Sequence, residues 1–121
     1  MTGFVFKTKH SLSERLDETT RILTKYPDRI PIICEKNPKS KETPEIDKNK
    51  YLVPYDLSVG QFMYVVRKRL ALAPEKALFF FIGGTIPSSS SLLNDIYYQS
   101  KDEDGFLYIR YSLENTFGKS I

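Results

Sequence analysis

Asp104-Gly105-Phe106-Leu107-Tyr108-Ile109-Arg110-Tyr111 opens on an aspartate–glycine turn signal and continues as a strand. In it Leu107, Ile109 and Tyr111 alternate with Phe106, Tyr108 and Arg110. Beyond it the chain runs out as a polar tail, expected to be flexible over 113–121, with Phe117 its single aromatic and Gly118 followed only by Lys119-Ser120-Ile121. A glycine beside one aromatic is odd for a tail that only needs to be soluble. We read the tail as a site on which another enzyme acts, and the rest of the chain as the domain that presents it.

Working outward from this strand, one of the serines in Ser88-Ser89-Ser90-Ser91 is expected to cap a short helix through Leu92, Leu93, Ile96 and Tyr97. Ala77-Leu78-Phe79-Phe80-Phe81-Ile82 reads most simply as a central strand covered on both faces, turned by Gly83-Gly84. Ser58 to Gln61 has capping-box spacing and starts a helix whose stripe is Val59, Phe62, Met63, Val66 and Leu70. Lys50-Tyr51-Leu52-Val53-Pro54 is a short strand, and Arg29 to Glu35 a β-branched one that Pro31 would assign to an edge or a strand start. The residues between them, with Pro38 and Pro44 among lysines and acids, have loop chemistry. Ser11 to Glu14 is a second capping box, opening a helix with a thin stripe of Leu12, Leu16, Thr19, Ile22 and Leu23. Residues 1–10 form a short helix or an arm.

Strand, strand, helix, strand, short helix, strand is the order of the ubiquitin-like β-grasp, in which the first and last strands pair side by side at the centre and the main helix covers one sheet face. The expected fold is therefore α+β: a four-stranded mixed sheet with two covering helices, plus an N-terminal helical extension. The extension spans 1–27, the β-grasp domain 28–112 and the tail 113–121, with one structural domain overall.

With 121 residues, the chain is long enough for one modest core. No apolar run approaches the roughly 20 residues of a membrane span, and no myristoylation or prenylation signal is present. The net charge of +3 is a mild excess. It reads as solvated surface or as a basic face that attracts an acidic partner. A nucleic-acid-binding domain would be the third reading, and the chain lacks an RNA-binding signature. Catalysis has little to work with. One histidine, His10, stands near an unstructured start; one cysteine, Cys34, stands in an apolar strand that would raise its pKa. No Cys/His cluster fits a metal, so neither catalytic nor metal-binding residues are expected.

Binding is better supplied. Alternation places Ile30, Ile32 and Cys34 on one face of the first strand, with Pro31 and Ile33 on the other. If the main helix covers the first set, the second faces away together with Leu52 and Phe106. That cluster is either a small core sealed by the N-terminal helix through Ile22, or a groove for a partner's aromatic side chain. A second cluster is Tyr51, Val53, Pro54, Leu57, Phe62 and Val65. If the second strand is a sheet edge, an extended peptide can add to it and reach both clusters, with Lys50 and Arg69 favouring acidic peptides.

Several ordered blocks carry a resemblance: Lys25-Tyr26-Pro27-Asp28-Arg29-Ile30-Pro31, Lys50-Tyr51-Leu52-Val53-Pro54, Val59-Gly60-Gln61-Phe62, Arg67-Lys68-Arg69, Asp104 to Tyr108, and Glu114-Asn115-Thr116-Phe117-Gly118. From Arg15 to Gly118 the chain closely resembles the autophagy-related ubiquitin-like modifiers, the family of autophagy-related protein eight, GABARAP and light-chain-three. It departs at Leu12, where the family usually has an aromatic, and at Ile82-Gly83-Gly84. The resemblance implies that a cysteine protease cuts between Gly118 and Lys119, with Phe117 as a handle. Activating and conjugating enzymes would then pass Gly118 to the amine of phosphatidylethanolamine, the covalent lipid being the only cofactor. It implies a first pocket of Glu18, Ile22, Pro31, Ile33, Lys50, Leu52 and Phe106. The second would be Tyr51, Val53, Pro54, Leu57, Phe62 and Val65, with Arg29 and Arg69 flanking the peptide. Cargo receptors and adaptors with an aromatic-x-x-aliphatic motif would bind there. The implied location is cytoplasmic, then autophagosomal after lipidation. Tubulin carries over as a further family partner on which the residues are silent. The alternative is a ubiquitin-like peptide-binding adaptor that is never conjugated.

Overall fold

The computed structural model describes residues 3–114, so Phe117, Gly118 and Lys119 lie outside the described residues. The elements are α1 (Val5–Lys9), α2 (Leu12–Lys25), β1 (Arg29–Lys36), β2 (Lys50–Pro54), α3 (Val59–Leu70), β3 (Phe79–Phe81), α4 (Leu93–Ser100) and β4 (Leu107–Ser112). They form the expected β-grasp with two helices in front. The sheet has the order β2-β1-β4-β3. β1 pairs parallel with β4, while β2 and β3 pair antiparallel on the outside.

Alternation along β1 and β4 divides the core in two. Ile30, Ile32 and Cys34 join Leu107, Ile109 and Tyr111 beneath Phe62 and Val66 of α3. On the other face Ile33, Phe106 and Tyr108 cluster with Phe6 of α1, and Phe4 packs against them. Both capping boxes form: Ser11 with Glu14 and Ser58 with Gln61 each exchange bonds to the other's amide.

Three expectations are corrected. Pro31 sits inside the sheet, on a strand flanked by two others. The Cys34 amide donates to the Asn49 carbonyl on the β2 side, so alternation turns the amide that Pro31 lacks toward β4. Parallel pairing there begins only at Ile32 with Leu107, and no ladder bond is lost. Phe79–Phe81 is an edge strand, because the parallel pair β1–β4 takes the centre. Phe80 and Ile82 still enter the main core. The serines do not cap α4, whose N-cap Leu92 has no side-chain bond. Instead the carbonyls of Ser89 and Ser91 accept the amides of Gly60 and Val59 and close the start of α3. In keeping with the thin stripe of α2, Leu12 and Leu16 are exposed.

The seat of α2 is polar. Thr19 is buried and donates from its hydroxyl to the Asp104 carbonyl at 2.6 Å. The Arg15 guanidinium reaches the carboxylate of Asp104, which is fully buried, at 2.5 Å. That carboxylate also accepts the Tyr108 hydroxyl at 2.5 Å and the Phe106 amide at 2.8 Å. Burial, then the adjoining carboxylate, pushes the Tyr108 phenol up. Gly105 turns the chain at a φ of +89°, and a Cβ built there would lie 2.6 Å from Thr19 Oγ1. Glycine is required there for its backbone and for its lack of a side chain.

Candidate functional site

The site is organised by β2, which has β1 on one side and, among the described residues, no strand on the other. The register pairs Ile30 with Val53 and Ile32 with Tyr51. Since the even-numbered amides of β1 point to β2, the backbone groups of Tyr51 and Val53 are the ones that pair. Those of Lys50 and Leu52 therefore point outward, as does the Pro54 carbonyl. The free edge is short and ends on a residue with no amide to offer.

The same alternation sends the side chains of Lys50 and Leu52 to the α2 face, and those of Tyr51 and Val53 to the α3 face. Around the first are the residues expected in the first pocket. Ile33 and Phe106 are fully buried, and Pro31 is buried; Glu18, Ile22 and Leu52 are half-buried, and Lys50 is exposed. Lys50 Nζ reaches Glu18 Oε2 at 2.5 Å, tying β2 to α2 across this cluster. Around the second, Tyr51, Val53 and Phe62 belong to the main core, with the Tyr51 and Phe62 rings edge to face at 5.2 Å. Leu57 is half-buried, while Pro54 and Val65 are exposed. The Tyr51 hydroxyl is buried with no hydrogen-bond partner among the described residues, and burial pushes its pKa up to about 12. Of the flanking cations, Arg29 is exposed, and Arg69 holds Asp47 through two bonds at 2.9 and 3.4 Å.

Sequence reasoning missed what covers Phe106. Phe6 of α1, not Ile22, stands over it, ring centroids 5.2 Å apart, and Lys50 Nζ lies 5.2 Å from the Phe6 ring centroid. His10, expected near an unstructured start, is the C-cap of α1 and lies tilted against Phe6, ring centroids 4.7 Å apart. α1 has no side-chain N-cap of its own. The amides of Val5 and Phe6 donate instead to the two carboxylate oxygens of Glu35, at 2.8 and 2.9 Å. A carboxylate at the amide end of a helix is well placed electrostatically. Lys7 binds Asp102 at 2.5 Å, and the Arg110 guanidinium lies 4.0 Å over the Phe4 ring. The signal present in the sequence was the aromatic pair Phe4 and Phe6; its acidic partner was thirty residues away.

Cys34 is fully buried, and burial, then the neighbouring Glu35 charge, pushes its thiol up, so little thiolate forms.

A family model described as autophagy protein Atg8, ubiquitin like, matches residues 14–118. The chain is 58% identical over 114 residues to autophagy-related protein 8 of Mycosarcoma maydis, covering 94% of this chain and 96% of that protein. It is 59% identical over 115 residues to autophagy-related protein 8A of Oryza sativa subsp. indica, covering 95% and 96%. The crystal structure of Trypanosoma brucei ATG8 matches with a TM-score of 0.87 at 45% identity, over 92% of this chain and 95% of that one.

Proposed function

Because the chain belongs to the Atg8 family of ubiquitin-like autophagy proteins, we propose that it is a modifier cut after Gly118, joined through that residue to phosphatidylethanolamine, and used to hold cargo receptors at the autophagosomal membrane. The observation that carries the receptor part is the placement of the two expected pockets on opposite faces of one edge strand. In an extended peptide, side chains three apart point to opposite faces. An aromatic-x-x-aliphatic segment added along Lys50 and Leu52 would therefore send its aromatic to the α2 side and its aliphatic residue to the α3 side.

The conjugation part rests on the Phe117-Gly118 tail. Hydrolysis between Gly118 and Lys119 leaves a glycine carboxylate. The activating enzyme then joins that carboxylate to the α-phosphate of ATP with loss of pyrophosphate. An enzyme thiol displaces AMP from the acyl adenylate to give a thioester, which passes to the conjugating enzyme's thiol, and the lipid amine displaces that thiol to form an amide. This chain is the substrate throughout, with its own thiol held in the core. No helix among the described residues is long and apolar enough to cross a membrane, and two acyl chains would supply the hold, at roughly 0.8 kcal/mol per buried methylene. The protein would be cytoplasmic until lipidated and autophagosomal afterwards.

Incubation of the full chain with the processing protease of this family is expected to shorten it by Lys119-Ser120-Ile121, read by intact mass. An uncut chain that still binds motif peptides would leave the non-conjugated adaptor in its place. Leu52→Asp should weaken binding of an aromatic-x-x-aliphatic peptide by at least about tenfold, since it puts a charge where an apolar ring must seat. The half-buried Leu52 is the clean probe by calorimetry, because a charge at the fully buried Phe106 would attack the fold. Unchanged affinity in a folded Leu52→Asp chain would displace the site from this edge.

A further inference from the structure

Residues 37–49, between β1 and β2, look by composition like solvated loop, yet Asn37, Ser40 and Thr43 are buried. Buried polar side chains are costly unless bonded, so their partners say what the loop does. Thr43 Oγ1 accepts the Leu113 amide at 2.8 Å. The Ser40 and Thr43 hydroxyls bond each other, and Ser40 Oγ donates to Glu114 Oε2 at 3.4 Å. The Asn37 amide donates to the Tyr111 carbonyl at 2.9 Å, and Lys36 Nζ holds the Ser40 carbonyl at 2.9 Å. The last paired residue of β4 is Ser112. The sheet thus gives the Leu113 amide no acceptor, and the loop supplies one.

We propose that Ser40 and Thr43 are positioning residues for the tail, fixing the path of Leu113 and Glu114 so that the processing enzyme meets Gly118 at a set reach from the domain. This rests on the reading of Gly118 as the point of cleavage. The four steps from Glu114 to Gly118 span at most about 14 Å, so an enzyme that grips both domain and tail depends on where the tail starts. Releasing the Leu113 anchor adds about one residue of backbone freedom that binding must remove. That loss falls on KM and spares kcat, because it is made in the ground state and the transition state alike.

The test uses the full chain, Thr43→Val, which keeps the shape and removes the acceptor, and Thr43→Ser, which keeps the hydroxyl. Hydrogen exchange at the Leu113 amide and steady-state cleavage by the family's processing protease are measured together, with motif-peptide affinity as the control on folding. The expected result is a Leu113 amide protected in the unchanged chain and in Thr43→Ser, and freely exchanging in Thr43→Val. Thr43→Val should show a KM about tenfold higher with kcat within about twofold, and peptide affinity should be equal in all three. Free exchange at Leu113 in the unchanged chain, an unchanged KM in Thr43→Val, or Thr43→Ser behaving as Thr43→Val overturns the inference. An unchanged chain that the protease leaves intact removes the reading of Gly118, and this inference with it; that outcome is told apart by the uncut control.

Discussion

A chain carrying Gly118→Ala is expected to fold and bind motif peptides as the unchanged chain does, yet to lose at least about a hundredfold in the rate at which its last three residues are removed. A scissile glycine lets a protease close around bare backbone on both sides. A methyl group there pushes the carbonyl away from the attacking thiolate, and displacement of reacting atoms by about 1 Å costs on the order of a hundredfold. The same crowding acts again at the thioester stage, so transfer to phosphatidylethanolamine in vesicles, read by gel shift and intact mass, should vanish even from a chain ending at residue 118. Phe117→Ala should slow both steps less, since it removes a handle and leaves the reacting carbonyl in place. A Gly118→Ala chain that is cut and lipidated at the unchanged rate would end the proposed mechanism while leaving the peptide site standing.

The second large effect is on stability. Asp104→Ala should lower the free energy of unfolding by about 3–5 kcal/mol, the range for removing one partner of a buried ion pair. The substitution leaves the Arg15 guanidinium, the Tyr108 hydroxyl and the Phe106 amide without the acceptor they share. Asp104→Asn keeps one oxygen for the amide and should cost less. Adding Arg15→Met to Asp104→Ala should recover part of the loss, because the stranded charge goes with it. Urea denaturation measures all of these; a loss under about 1 kcal/mol for Asp104→Ala would show that α2 is held by something other than this cluster.

How much of this was legible in the sequence depended on the range of the interaction. Capping boxes close within three residues, and both were readable at Ser11 and Ser58. Alternation is equally local, and it assigned Ile32 and Ile33 to opposite cores before any contact was known. The β-grasp order put β1 at the centre, but how Pro31 is tolerated there was not readable, because the direction of a missing amide matters only once the neighbouring strand's starting point is fixed. The run Phe79-Phe80-Phe81 carries no mark of an edge, since an edge strand can be as well covered above and below as a central one. The grip of Glu35 on the Val5 amide, and of Thr43 on the Leu113 amide, joins a polar side chain to the backbone of an apolar residue across 30 and 70 positions. No periodicity records such bonds. The candidate site itself was legible as two sets of residues, but its cover, Phe6, was not.

The contact between Thr19 and Gly105 has a consequence for descent. These positions, far apart in the chain, share space for one side chain. A lineage that gains a Cβ at 105 has first to give up the threonine at 19, and must also re-form a turn that now stands at a φ of +89°. Neither step is neutral alone, because Thr19 also bonds the Asp104 carbonyl. A substitution at either site therefore acts on the other, and a chimera that takes α2 from one relative and the β3–β4 connection from another is expected to fail at this seam where the two parents fill it differently.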